Sequence, residues 1–425
     1  MRRWTPEYPD YRVRHRSAEC QPHQVARSGR AREEDKGVLA VMRSVELFVG
    51  AGGLGIGVGQ AGFAPAAVVD WDRWACDTIR ENQARGLEPL RDWPLHEGDV
   101  RKFDFSEIKG PIDLVTGGPP CQPFSLGGRH RAFLDKRDLF PEAIRAVREL
   151  RPRAFIIENV KGLTRATFAN YLEYIRLQLR HPEIRSRRAE LWADHLARLE
   201  DHEMRGAYKG LQYNVVLRVL NAANYGVPQR RERVLIVGFR SDTGVDWHFP
   251  APTHSQDSLL WDQWRDGVYW DTHRVAKRHR PVGGAGAIRA SRLAERPALA
   301  AWRTVRDAIA DLPDPEQHPG IAGEYHDHRF QPGARTYPGH TGSPLDEPAK
   351  TLKAGVHGVP GGENMLRRPD GGVRYFTVRE SARLQTFPDN MVFHGSWTET
   401  MRQLGNAVPC ELARVVAAGV RAWLL

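Results

Sequence analysis

Ser44-Val45-Glu46-Leu47-Phe48-Val49-Gly50-Ala51-Gly52-Gly53-Leu54-Gly55 is a short apolar run that breaks into glycines. It reads as a buried strand turning directly into a helix. Gly50, Gly52 and Gly55 have the spacing Gly-x-Gly-x-x-Gly, and Asp70 follows twenty residues after Gly50. Such glycines let backbone amides and a helix N-terminus approach a nucleotide-like ligand. Ala66-Ala67-Val68-Val69-Asp70 is a second strand, ending in an acid placed to accept ribose hydroxyls. A third unit ends at Gly98-Asp99-Val100, where an acid often meets an adenine. Either acid would serve equally well as a helix N-cap. The glycine pattern alone does not separate a dinucleotide from S-adenosylmethionine. What it does predict is an α/β fold built on a doubly wound, Rossmann-like sheet.

The fourth strand carries the chemistry. Asp113-Leu114-Val115-Thr116-Gly117-Gly118-Pro119-Pro120-Cys121-Gln122-Pro123-Phe124-Ser125 runs from an apolar strand into a Gly/Pro loop that presents one cysteine. Prolines stiffen the turn before the sulfur, which suits a nucleophile held in one place. By itself it could also be an inert, half-buried thiol. A Lys/Arg-rich loop, residues 127–137, follows and is expected to act as a lid. A helix is expected from about residue 139 to 150. The fifth strand, Ala154-Phe155-Ile156-Ile157, ends in Glu158-Asn159-Val160, which puts a carboxylate at the ligand edge of a parallel sheet. Residues 183–205 read as a charged surface helix without a site. Strands at 213–220 and 234–239 flank the turn Asn224 to Arg233. Its Gln229, Arg230, Arg231 and Arg233 favour contact with an anion or a base.

Across 425 residues, 41% are hydrophobic, enough for a large core and two or three domains. Lys and Arg exceed Asp and Glu by 62 to 52, and the net charge of +10 favours a polyanionic partner. Cys20, Cys76, Cys121 and Cys410 form no Cys-x-x-Cys pair, so neither a disulfide scaffold nor a structural zinc is expected, and a reducing cytoplasm is. No apolar run reaches the length of a membrane span. Residues 1–43 read as a basic, disordered arm, unless translation starts at Met42. Composition shifts at residue 241 toward Gly, Pro, His, Trp and Tyr without periodicity, which marks a second, irregular domain. A capped helix follows Phe376, and Gly405-Asn406-Ala407-Val408-Pro409 opens the last helix.

Pro120-Cys121-Gln122 with Ser125 resembles the catalytic loop of the DNA (cytosine-5) methyltransferases. Further motifs of that family stand in the family's order from about Val45 to the C-terminus. The resemblance implies S-adenosylmethionine as cofactor, held by Phe48, Gly50, Gly52, Gly53, Asp70, Trp71, Asp99, Pro120 and Asn406. It implies Cys121 as the nucleophile, Glu158 as the base-binding acid, and Arg231 and Arg233 of Gln-x-Arg-x-Arg as catalytic partners. Gln122, Ser125, Gln229 and Thr351 are implied at the DNA, the last in the Thr351-Leu352 pair that marks the target-recognition domain. Arg335, sixteen residues earlier, is the candidate for a guanine contact. One departure is Glu46, where the family often carries Asp. The implied layout is an arm at 1–43, a catalytic domain at 44–240, a smaller target-recognition domain at 241–390, and a segment at 391–425 that returns to the catalytic domain. The implied activity is methylation of C5 of a flipped-out cytosine in duplex DNA, by a cytoplasmic monomer that works alongside a cognate restriction endonuclease. An RNA cytosine methyltransferase, a dinucleotide-dependent oxidoreductase and a silent DNA-binding module are the competing readings. The oxidoreductase leaves Pro-Pro-Cys-Gln and Glu-Asn-Val unexplained, and intact Cys121, Glu158 and Arg233 speak against the silent module.

Overall fold

A computed structural model describes residues 41–120, 138–206, 209–338, 340–354 and 362–425. Cys121, Gln122, Ser125 and the loop 127–137 lie outside the described residues, as does the arm 1–40. The described chain from Val41 to Leu425 forms one compact unit, so the boundary expected near residue 240 falls inside it.

The first half builds a seven-stranded sheet. Its strands are β1 (Met42–Leu47), β2 (Phe63–Asp70), β3 (Leu95–Glu97), β4 (Leu114–Gly117), β5 (Ala154–Val160), β6 (Tyr213–Asn221) and β7 (Glu232–Arg240). They lie in the order β3-β2-β1-β4-β5-β7-β6. The first five are parallel, whereas β7 runs antiparallel to both β5 and β6. Near-continuous apolar strands such as Leu114–Gly117 are what a sheet covered on both faces requires, and all four of its residues are buried. The helices of this half are α1 (Gly53–Gln60), α2 (Arg73–Ala84), α3 (Phe140–Leu150), α4 (Ala169–Arg180) and α5 (Trp192–Arg205). The chain winds one way from β1 to β2 and the other way from β1 to β4. The crevice beyond the ends of β1 and β4 is therefore the switch point where such sheets take ligands.

Two expectations shift in detail. The helix expected over 183–205 starts only at Trp192. Before it, the Glu190 carboxylate accepts from the Arg187 amide at 2.7 Å and pairs with Arg198 at 2.8 Å, which holds residues 187–190 as a turn. After β3, Asp99 opens only a single 3-10 turn, Val100–Lys102, not a full helix.

Beyond β7 the elements are short: helices of four to nine residues, and small sheets such as Met365–Arg367 with Val373–Tyr375. The capped helix is Val378–Leu384, with a capping box between Thr377 and Glu380. The chain then returns through helices Trp397–Asn406 and Cys410–Leu424. The last of these lies on α1 so closely that a Cβ on Gly57 would sit 2.4 Å from the Cys410 carbonyl and 2.5 Å from Ala413 Cβ.

Helix propensity alone would favour alanine at Gly57 by about 1 kcal/mol. Gly57→Ala is nevertheless expected to lower stability by about 1–3 kcal/mol in urea unfolding, because neither helix backbone can yield. Gly283→Ala, with nothing within 4 Å of the added methyl, should leave the unfolding midpoint in place.

Candidate active site

A cavity of about 770 Å³ opens at the switch point. Its size falls within the roughly 300–1,000 Å³ typical of small-molecule sites.

One end is built by the glycine turn and the end of β2. Asp70 is buried, and its carboxylate accepts from the Gly50 amide at 2.7 Å and the Asp72 amide at 2.8 Å. Burial pushes its pKa up, and those amides oppose the rise. Trp71, next in sequence, is 67% exposed and lines the cavity. Asp99 lines it too, gripped by Arg101 at 2.6 and 2.9 Å, which holds its carboxyl below the usual range. Phe48, Gly50, Gly53, Pro120 and Asn406 complete this end of the expected set. Gly52 does not line the cavity. At φ 93° it turns toward the buried Trp93, whose ring would stand 3.3 Å from an added Cβ. The turn and the Trp93 ring both call for glycine at this position.

The other end holds charge. Glu158 Oε1 lies 2.7 Å from Arg233 Nε, with both side chains about nine-tenths buried. In the antiparallel pairing Val160 faces Arg233, which makes Glu158 and Arg233 diagonal neighbours on one face. Burial pushes the Glu158 pKa up; Arg233 and then Arg231 pull it down. The carboxylate rests against the loop that leads to Cys121: a Cβ on Gly118 would stand 3.0 Å from Glu158 Oε2. Asn159 fixes the same loop by donating to the Pro119 carbonyl at 2.9 Å.

Two residues of the Gln-x-Arg-x-Arg turn point inward. Gln229 is fully buried; its amide donates to the Leu384 carbonyl at 3.2 Å and accepts from the Leu352 amide at 3.0 Å. Both of its ends are taken by backbone, so the expected DNA contact at Gln229 is corrected to an internal tie. Arg231 is also fully buried, donating to the Leu352 carbonyl at 2.9 Å and the Gly405 carbonyl at 2.7 Å. It does not line the cavity; its two donors tie residue 352 to residue 405, a loop-ordering arrangement. Thr351 lines the cavity while its hydroxyl donates to the Arg230 carbonyl at 2.7 Å. Arg335 is exposed and away from the cavity.

Several groups escaped the sequence reading. Thr116 donates to the buried Glu46 carboxylate at the inner wall, and burial pushes Glu46 up. Arg402 lines the cavity and pairs with Asp72 at 2.8 Å. No periodicity or motif marks a lone arginine on a helix as facing a turn 330 residues away.

The family model of the C-5 cytosine-specific DNA methylases matches residues 42–181 and 202–421. A type II methyltransferase of Psychrobacter sp. (strain TA137), M.PspPI, is 33% identical over 388 residues, covering 88% of this chain and 78% of the relative. M.Eco47II of Escherichia coli, another type II methyltransferase, is 32% identical with the same coverage. Among solved structures, an E. coli prophage protein described as a DNA modification methyltransferase superposes with a TM-score of 0.55 at 20% identity. The match covers 90% of this chain and 99% of that one, and it speaks for the fold.

Gln229→Leu would strand the Leu384 carbonyl and the Leu352 amide inside the protein. It should lower stability by about 1–3 kcal/mol in thermal or urea unfolding. The ratio of affinities for cognate and non-cognate duplexes should not change in the folded variant. A collapse of that ratio would return Gln229 to the DNA surface.

Proposed function

This chain belongs to the C-5 cytosine-specific DNA methylases, and from that premise we propose that it moves a methyl group from S-adenosylmethionine to C5 of a cytosine flipped out of a specific duplex sequence, through a covalent bond between Cys121 and C6. As a type II DNA (cytosine-5-)-methyltransferase it acts in restriction and modification. The observation that carries the finer reading is one cavity with two different ends. A hydrogen-bonded carboxylate and an exposed indole lie at one end, and a buried carboxyl–guanidinium pair beside the Cys121 loop lies at the other.

The first end fits S-adenosylmethionine. Asp70 offers an ordered carboxylate to ribose hydroxyls, Trp71 a flat apolar face to adenine, and Asp99 an acceptor to an exocyclic amine. Phe48, Gly50, Gly53, Pro120 and Asn406 line the remainder. When bound, this cofactor supplies an electrophilic methyl group on a sulfonium.

The chain's own residues prepare the base. Cytosine C5 is a poor nucleophile. The Cys121 thiolate adds to C6, forming a C–S bond and moving the C5–C6 π electrons onto C5 as an enamine-like pair. Charge then develops at N3 and O2. Glu158 in its protonated form holds a proton at N3, and burial favours that form. Arg233, fixed on Glu158, faces O2 as a charged donor. After C5 is methylated, a base removes its proton, the C6–S bond breaks, and the thiolate leaves. The target atom lies inside a duplex, so the base must leave the stack. Gln122, Ser125, Thr351 and the exposed Arg335 supply the DNA contacts. Among the described residues no helix is long and apolar enough to cross a membrane. We place the enzyme in the cytoplasm, with its DNA, as a monomer beside an endonuclease of the same sequence specificity.

A cognate duplex with 5-fluorocytosine at the target tests the nucleophile, because fluorine cannot leave as a cation. The expected product is a denaturation-resistant adduct that needs S-adenosylmethionine and maps to the Cys121 peptide. Cys121→Ser should bind DNA without forming it. An adduct at another cysteine would overturn the assignment.

Glu158 adds a pH signature. Its protonated fraction falls as pH rises through its raised pKa, whereas the Cys121 thiolate grows with pH. The rate should therefore be bell-shaped in pH. Glu158→Gln should be slower and lose the alkaline limb, since an amide cannot titrate. An unchanged alkaline limb in single-turnover kinetics would remove Glu158 as the acid.

A further inference from the structure

We propose that Arg402 is a positioning residue for the cofactor end of the cavity, latching the turn Asp70-Trp71-Asp72 to the returning C-terminal helix. The proposal rests on the reading of that end as the S-adenosylmethionine site.

Arg402 stands on helix Trp397–Asn406, one turn before Asn406, and both residues line the cavity. Its Nη2 donates to Asp72 Oδ2 at 2.8 Å and to Glu399 Oε2 at 2.6 Å, and Nε donates to the same Glu399 oxygen at 2.9 Å. Glu399, a turn earlier on the same helix, aims the guanidinium; Asp72 receives it from the far end of the chain. Asp72 has no freedom of its own. Its other oxygen caps α2 by accepting from the Ala75 amide at 3.0 Å, and its amide donates to Asp70 at 2.8 Å. Asp70 in turn accepts from the Gly50 amide. Glycine turn, ribose acid, helix cap and C-terminal helix thus form one polar chain, with the exposed Trp71 carried between two of its links. Arg402, aimed by Glu399, brings the C-terminal helix into this network. It acts beside a second tie between α2 and the same helix, in which the Thr78 hydroxyl donates to Gln403 Oε1 at 2.8 Å.

This role differs from a structural one in what it moves. A merely structural arginine would lower stability and leave ligand affinity alone. A latch would change the affinity for the ligand that touches both sides and spare DNA binding. The pair is partly exposed, with side chains 33% and 24% accessible, so its effect is modest.

The test is calorimetry of the full chain with S-adenosylmethionine. Arg402→Gln should weaken binding about three- to fivefold, raise KM for the cofactor with kcat unchanged, and leave duplex affinity as it was. Arg402→Lys, which keeps a charge within reach of Asp72, should recover part of the loss. Asp72→Asn keeps an oxygen to cap α2 but turns a donor toward Arg402. It should show the same defect, and the double variant should be no weaker than Arg402→Gln alone. Should Arg402→Gln fail to fold, Asp72→Asn decides the matter from the other side. Additive losses, or cofactor affinity unchanged in a folded single variant, would overturn the latch. Wild-type protein that does not bind S-adenosylmethionine would overturn the cofactor reading instead, which is a different result.

Discussion

Glu158 and Arg233 meet because β7 runs backwards. In a parallel sheet every strand ends at the ligand edge, so a residue at the start of a strand lies at the opposite edge. The antiparallel β7 brings its beginning to the edge where β1, β4 and β5 finish. The turn before it therefore arrives at the same place as the Cys121 loop, and Arg233 falls diagonally across from Glu158. Taking a carboxylate and a guanidinium out of water is expensive unless each neutralises the other. At 2.7 Å each offsets part of that cost for the other, and removing either would leave its partner buried without its nearest opposite charge. The relative placement of these two side chains is thus enforced by their own electrostatics.

The same reversed turn holds the molecule's distant parts together. From it Gln229 reaches Leu384 and Leu352, and Arg231 reaches Leu352 and Gly405. The backbone takes part as well: the Ala349 amide donates to the Pro228 carbonyl at 2.9 Å, and the Arg230 amide to the Ala349 carbonyl at 2.8 Å. Residues 349–352, beside the cavity, and residue 405, next to Asn406, are therefore referred to one rigid support. The two carbonyl acceptors offset part of what burying the Arg231 guanidinium costs. Gln229, Arg231 and Arg233 thus do different work: two bind the protein to itself, and one faces the site.

That division explains what the sequence does and does not disclose. Strand periodicity, the glycine turn and the acids at strand ends depend on residues close in sequence, and those elements appear within a few positions of where the pattern puts them; the helix expected from residue 183 starts nine residues later, at Trp192. The roles of Gln229 and Arg231 depend on carbonyls up to 174 residues away, which no local pattern carries. Polar residue types in a turn suggest a nucleic acid equally well. Gly52 has a second reason to be glycine that the sequence does not carry. Its place in the glycine pattern points to a ligand, but the atoms that exclude a side chain belong to Trp93. Arg402 carries no pattern of any kind, because its meaning lies in Asp72.

Desolvation links the site's two ends. Burial is the largest influence on both Asp70 and Glu158, and it raises both. Their opposing influences differ in kind. Around Asp70 these are backbone amides, fixed by the glycine turn and the α2 cap, which favour the carboxylate and prepare it to accept from neutral hydroxyls. Around Glu158, among the described residues, they are the charges of Arg233 and Arg231. A charge acts through distance and can be redistributed when a new acceptor arrives. If the O2 of a base draws on Arg233, the guanidinium holds Glu158 less strongly in its ionised form, and the proton becomes easier to keep at N3. A carboxyl held by charges is thus open to change when a new acceptor arrives, whereas one held by amides stays as it was. The two carboxyls share one cavity and one burial, and it is the nature of their partners that suits one to holding a ligand and the other to chemistry.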